Sequence, residues 1–97
     1  MTLKQTNVRK DSIQKEDVVK KCKSMVLSAV TNANRSAFFG DVKENSFWCG
    51  HVQATLDMLQ YMGFSVESTV KMNEDYTIQT IENVRIDNVD WYGRAAQ

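Results

Sequence analysis

The stretch over residues 46–63, SFWCGHVQATLDMLQYMG, carries more apolar surface than one helix can bury against one core. At about 100° per residue, Trp48, Val52, Leu56 and Leu59 share a face, flanked by Cys49, Thr55 and Met62. Phe47, His51, Ala54, Met58 and Tyr61 continue the apolar surface around the other side, and only Gly50, Gln53, Asp57 and Gln60 form a polar wedge. The apolar arc spans roughly 240°, against about 100° or somewhat more for an ordinary surface helix. A helix wrapped this far is either central in its domain or shared between chains.

With 97 residues, 42% hydrophobic and 25% charged, the chain has the composition of one globular domain. A domain of this size buries roughly 60–70% of its unfolded surface, so association with a copy of itself would add stability. The net charge is zero but unevenly spread. Residues 1–24 hold seven Lys/Arg against three Asp/Glu, residues 25–49 two of each, and residues 50–97 three against seven. The basic first quarter either solvates the outside of a helix or meets a nucleic acid or membrane surface. The two cysteines, Cys22 and Cys49, are too few for a disulfide scaffold and fall on apolar helix positions, where a thiol packs as a small hydrophobe. The first seventeen residues lack any apolar run, which predicts no signal peptide and a cytoplasmic setting, and no stretch approaches the ~20 apolar residues of a membrane span.

Residues 1–10 read as a polar arm. Asp11 suits a helix cap, with Gln14 completing a capping-box-like pair. Val18, Cys22, Met25, Ala29 and Ala33 then recur at helical spacing beside Val19, Val26 and Val30, which predicts a first helix over residues 11–34, with Asn32 and Asn34 at its frayed end. Residues 35–45 form a connection with a turn at Gly40-Asp41, and Phe38 and Phe39 are expected to fold back onto the helix pair. Asn45 or Ser46 would cap a second helix over residues 46–63, ended by Gly63 with Phe64 as hydrophobic closure. From Phe64 the period changes to two, so residues 64–90 read as antiparallel strands. Asn73-Glu74-Asp75 makes the first turn and Tyr76 begins the return strand. Glu82-Asn83 is either a second turn or part of one long bulged strand to Ile86. Val89 and Trp91 anchor a tail that is loose from Gly93 onward. The expected fold class is α+β, two helices packed on one face of a small two- or three-stranded antiparallel β-meander, since a lone hairpin is marginal in water.

No catalytic, cofactor or metal motif emerges. Cys49 and His51 lie two apart on a helix and point to nearly opposite sides, so they cannot form a nucleophile–base pair. Cys22, Cys49 and His51 lack the paired spacing of a zinc site. Asn73-Glu74-Asp75 lacks the alternating carboxylates of a calcium loop, and the glycines are too scattered to cradle phosphate. His51 is the single histidine, and its protonation in an apolar contact would weaken self-association below about pH 6.

These residues lead to a non-enzymatic binding protein acting stoichiometrically. It is expected to be a homodimer or larger assembly through helix 2, with Phe47, His51, Met58 and Tyr61 contacting the second copy, a protein partner or a small ligand. The alternative is a nucleic-acid binder using Lys15, Lys20, Lys21 and Lys23 on the first helix, although Glu16 and Asp17 interrupt that run and the pI of about 6.6 is not basic. The small, proline-free, Lys-, Asn- and Met-rich composition fits accessory or inhibitory proteins of AT-rich phages and mobile elements.

Overall fold

The computed structural model describes residues 14–94. The expected arm over residues 1–10 and the Asp11 cap lie outside this range, as does the end of the tail. Two helices, α1 (Lys15–Phe38) and α2 (Val42–Tyr61), precede a sheet of three strands, β1 (Val66–Met72), β2 (Gln79–Ile86) and β3 (Val89–Tyr92). The sheet is an antiparallel meander in the order β1-β2-β3. The fold is α+β, with both helices packed against the sheet.

The helix hairpin is tighter than the sequence predicts. α1 runs on to Phe38 and turns through Gly40, which sits at φ 72°. The N–H groups of Gly40 and Asp41 return to the carbonyls of Ala37 and Ser36, closing the helix with the paired bonds typical of a glycine stop. Asp41, rather than Asn45 or Ser46, caps α2, accepting the Glu44 N–H at 3.1 Å. Because α1 continues this far, Phe38 and Phe39 project from its end instead of folding back. They are 83% and 73% exposed, stacked edge to face at 5.1 Å. At the far end of α2, Gly63 at φ 100° and Phe64 close the helix as expected, bonding to Gln60 and Leu59.

The core joins Cys22, Val26, Ala29, Val30 and Ala33 of α1 to Val52, Leu56 and Leu59 of α2 and to Ile81, Val84 and Ile86 of β2. Met25, expected in the stripe of α1, is 42% exposed. The strands differ from the sequence reading in their turns. Residues 79–86 form one bulged strand, and the second tight turn falls at Asp87-Asn88, not at Glu82-Asn83. Both Asp87 and Asn88 have positive φ, the pattern of a two-residue hairpin turn that matches the twist of its strands. Val89 and Trp91 thereby belong to a third strand rather than to a tail. Tyr76 lies in the β1–β2 loop, also at positive φ, and is 78% exposed.

Two asparagines complete the sheet. The half of β2 that β3 does not reach has its outer edge covered by side-chain amides. Asn34 donates to the Ile81 carbonyl at 2.9 Å and accepts the Ile81 N–H at 2.8 Å. Asn45 does the same for Gln79, at 2.8 Å in each direction, and also donates to the Ala33 carbonyl at 3.0 Å. An amide carries an acceptor and a donor group in the arrangement of a peptide, so two of them at alternate residues stand in for a neighbouring strand. Helix and sheet are thus joined by hydrogen bonds as well as by apolar packing.

Candidate interaction surface

The face of α2 turned away from the core holds the residues expected to make contacts. Phe47, His51, Ala54, Met58 and Tyr61 follow one another at spacings of four, three, four and three, which keeps them on one stripe. All five are exposed; Phe47 is 56% exposed, Met58 55% and Tyr61 92%. Neither Phe38-Phe39 nor Val89 and Trp91 cover them. The first two project from the helix turn, Trp91 packs half-buried against the core, and Val89 is exposed.

The N-terminal end of the stripe is pre-shaped. The rings of Phe47, Trp48 and His51 contact one another, at 4.9 Å for Phe47–Trp48, 5.2 Å for Phe47–His51 and 5.4 Å for Trp48–His51. The Trp48 indole N–H donates to the Glu44 carboxylate at 3.0 Å, which fixes the ring while its body packs on the core. Aromatic groups held in this way present contact area with little rotamer freedom left to lose. On one side of the stripe Gln53 donates to Asp57 at 2.9 Å, giving a polar border. On the other, Lys21, Met25 and Ser28 of α1 meet Trp48 and His51 around a cleft of about 260 Å³. That is below the roughly 300–1,000 Å³ of typical small-molecule pockets.

The four lysines of the alternative reading do not form one track. About the α1 axis they lie at roughly 0°, 140°, 240° and 80° for Lys15, Lys20, Lys21 and Lys23. Lys15 rests over the Phe64 ring at 4.8 Å and Lys23 over Trp91 at 6.0 Å, on the sheet side, whereas Lys21 borders the cleft with Trp48 and His51. All four are exposed.

Cys22 is buried and Cys49 partly so, both as free thiols. Burial pushes the Cys49 thiol above its ordinary value of 9.0, which keeps it protonated and unreactive near neutral pH. Among the described residues no group of three or more His, Cys, Asp or Glu side chains could hold a metal ion. No helix among them is long and apolar enough to cross a membrane. Comparison with known proteins finds no matching family model, no matching curated protein and no matching solved structure.

What the sequence missed at this surface is its stiffness. Asn34 and Asn45, read as helix-end residues, are the groups that pin the two helices to β2 and so set the outer face of α2. Nothing in their sequence neighbourhood distinguishes a cap from a strand surrogate.

Proposed function

We propose that the protein is a non-enzymatic binding protein that works stoichiometrically, self-associating through α2 and presenting the joined surface to a protein partner. The observation that carries this reading is the exposed stripe of Phe47, His51, Ala54, Met58 and Tyr61, backed by rings already locked against one another. Aromatic residues and Met are enriched at the centres of interfaces, and rigid aromatic anchors carry much of the energy there. A two-fold axis near the small Ala54 lets two α2 helices approach closely. Phe47 and His51 of one copy then face the Tyr61 and Met58 end of the other, so the same patch serves both subunits. An accessory or inhibitory role in a phage-like setting is consistent with the chain's size and composition.

The test is the double substitution Met58→Glu and Tyr61→Glu. Both side chains are exposed in the single chain, so circular dichroism is expected to match that of the wild type, while thermal unfolding stays cooperative with a lower midpoint because the stabilisation from association is lost. Sedimentation velocity is expected to give a smaller species than the wild type at equal concentration. A folded variant that sediments as the wild type does would remove α2 as the association surface.

A further inference from the structure

We propose that β1 is a second association surface, pairing edge to edge with β1 of another copy in antiparallel register about a two-fold axis at Thr69. The two outer edges of the sheet are treated differently in this fold. On the β3 side, Asn34 and Asn45 occupy what β3 leaves open, and β3 itself is only four residues long. On the other side β1 offers seven residues, and every residue between Val66 and Met72 is exposed. An edge strand of this kind is a template for pairing unless the fold blunts it.

The hydrogen-bond direction along β1 is fixed at both ends. Ser65 accepts the Asp87 N–H at 2.8 Å and Asn73 donates to the Ile78 carbonyl at 3.1 Å, so the odd-numbered residues face β2. The bulge does not disturb this alternation, because Thr69 pairs with Asn83 and Val70 with Ile81, leaving the extra residue, Glu82, in β2. Val66, Ser68, Val70 and Met72 therefore turn their N–H and C=O groups outward.

Register and charge point to a second copy of the same strand as the occupant. About Thr69, Val66 faces Met72 of the second copy and Ser68 faces Val70, so all four outward residues form hydrogen-bonded pairs, about eight bonds at two per pair. The same register sets Glu67 of each copy opposite Lys71 of the other. These are non-hydrogen-bonded positions, where facing side chains approach most closely. A shift of one residue turns bonding groups against non-bonding ones. A shift of two places Glu67 opposite Thr69 or Asn73 and leaves the charges unmatched. Only the register centred on Thr69 satisfies backbone and charge together, and it does so between identical strands.

The experiment places Glu67→Lys and Lys71→Glu, separately, in the M58E/Y61E protein, with sedimentation velocity and native mass spectrometry as readouts and circular dichroism as the check on fold. The parent M58E/Y61E protein is expected to form a dimer at high concentration. Each added charge reversal sets like charges opposite each other twice per dimer and is expected to raise the dimer dissociation constant by about tenfold or more. In an equimolar mixture of the two reversed proteins, positions 67 and 71 are both positive in one chain and both negative in the other. Opposite charges then face each other at every such pair, so the mixture is expected to form heterodimers. A parent protein that is monomeric at every concentration, a reversal that leaves dimerisation unchanged, or a mixture that stays monomeric would each overturn the pairing. The α2 reading stands or falls separately, on the size difference between the wild type and M58E/Y61E.

Discussion

Asn45 is 2% exposed, and its amide holds both the N–H and the carbonyl of Gln79 while also donating to the Ala33 carbonyl. Truncating it strips the two Gln79 groups of their partner on this edge, at about 1–3 kcal/mol for each group left unsatisfied. Asn45→Ala is therefore expected to destabilise the fold by roughly 2–4 kcal/mol, read from the urea midpoint with an unchanged slope. A cost under ~1 kcal/mol would show that water replaces the amide and that the strand-surrogate role is incidental. In the sequence this residue reads as a helix cap, because Asn before an apolar helical run is a favoured cap. The error is physical in origin. An amide is equally a cap and a peptide mimic, and its partner lies 34 residues away on a strand whose edge is open only because β3 is short.

Among the elements, the helices were legible and the turns less so. Cys22, Val26, Ala29, Val30 and Ala33 recur at helical spacing and are buried, as are Val52, Leu56 and Leu59. The period-two run from Phe64 marks β1. The Asp87-Asn88 turn escaped because it lacks the glycine that usually signals a two-residue hairpin, although Asn and Asp tolerate positive φ. Asn88 sits at φ 66°, and its own side chain is exposed. Asn88→Gly is expected to change stability by no more than about 0.5 kcal/mol, and Asn88→Val to cost about 1–2 kcal/mol, since a β-branched residue is strained there. Thermal unfolding of both variants checks this. Equal melting temperatures would mean that the hairpin changes its turn type instead of bearing the strain.

At the scale of the whole molecule, the two proposed self-complementary surfaces would have a consequence that neither has alone. One two-fold contact closes a dimer. Two distinct ones build a closed tetramer or an open filament, according to the angle between their axes. The wild type is accordingly expected to grow beyond a dimer with concentration. His51 lies in the α2 stripe among Phe47 and Trp48, with Lys21 of α1 bordering the same cleft. A fixed positive charge at this position would stand in an apolar contact and near Lys21, both of which disfavour association. His51→Lys is therefore expected to weaken the α2 contact while leaving β1 pairing in place, and His51→Gln to stay closer to the wild type. Sedimentation velocity of the two variants beside the wild type tests this. A His51→Lys protein that assembles as the wild type does would take His51 out of the contact.

Fold class, the two amphipathic helices, the glycine that ends α2 and the surplus apolar face of that helix all follow from the residue order. Each is a local periodicity or a local stop, encoded by a few successive positions. Whether the surplus face is covered is settled in three dimensions, because it depends on where α1 ends. Running to Phe38, α1 carries Phe38 and Phe39 past the surface they were expected to shield. The sealed edge of β2 and the open edge of β1 likewise arise only on folding. A strand's unpaired side is set by the length and position of its neighbours, and no pattern within the strand records it.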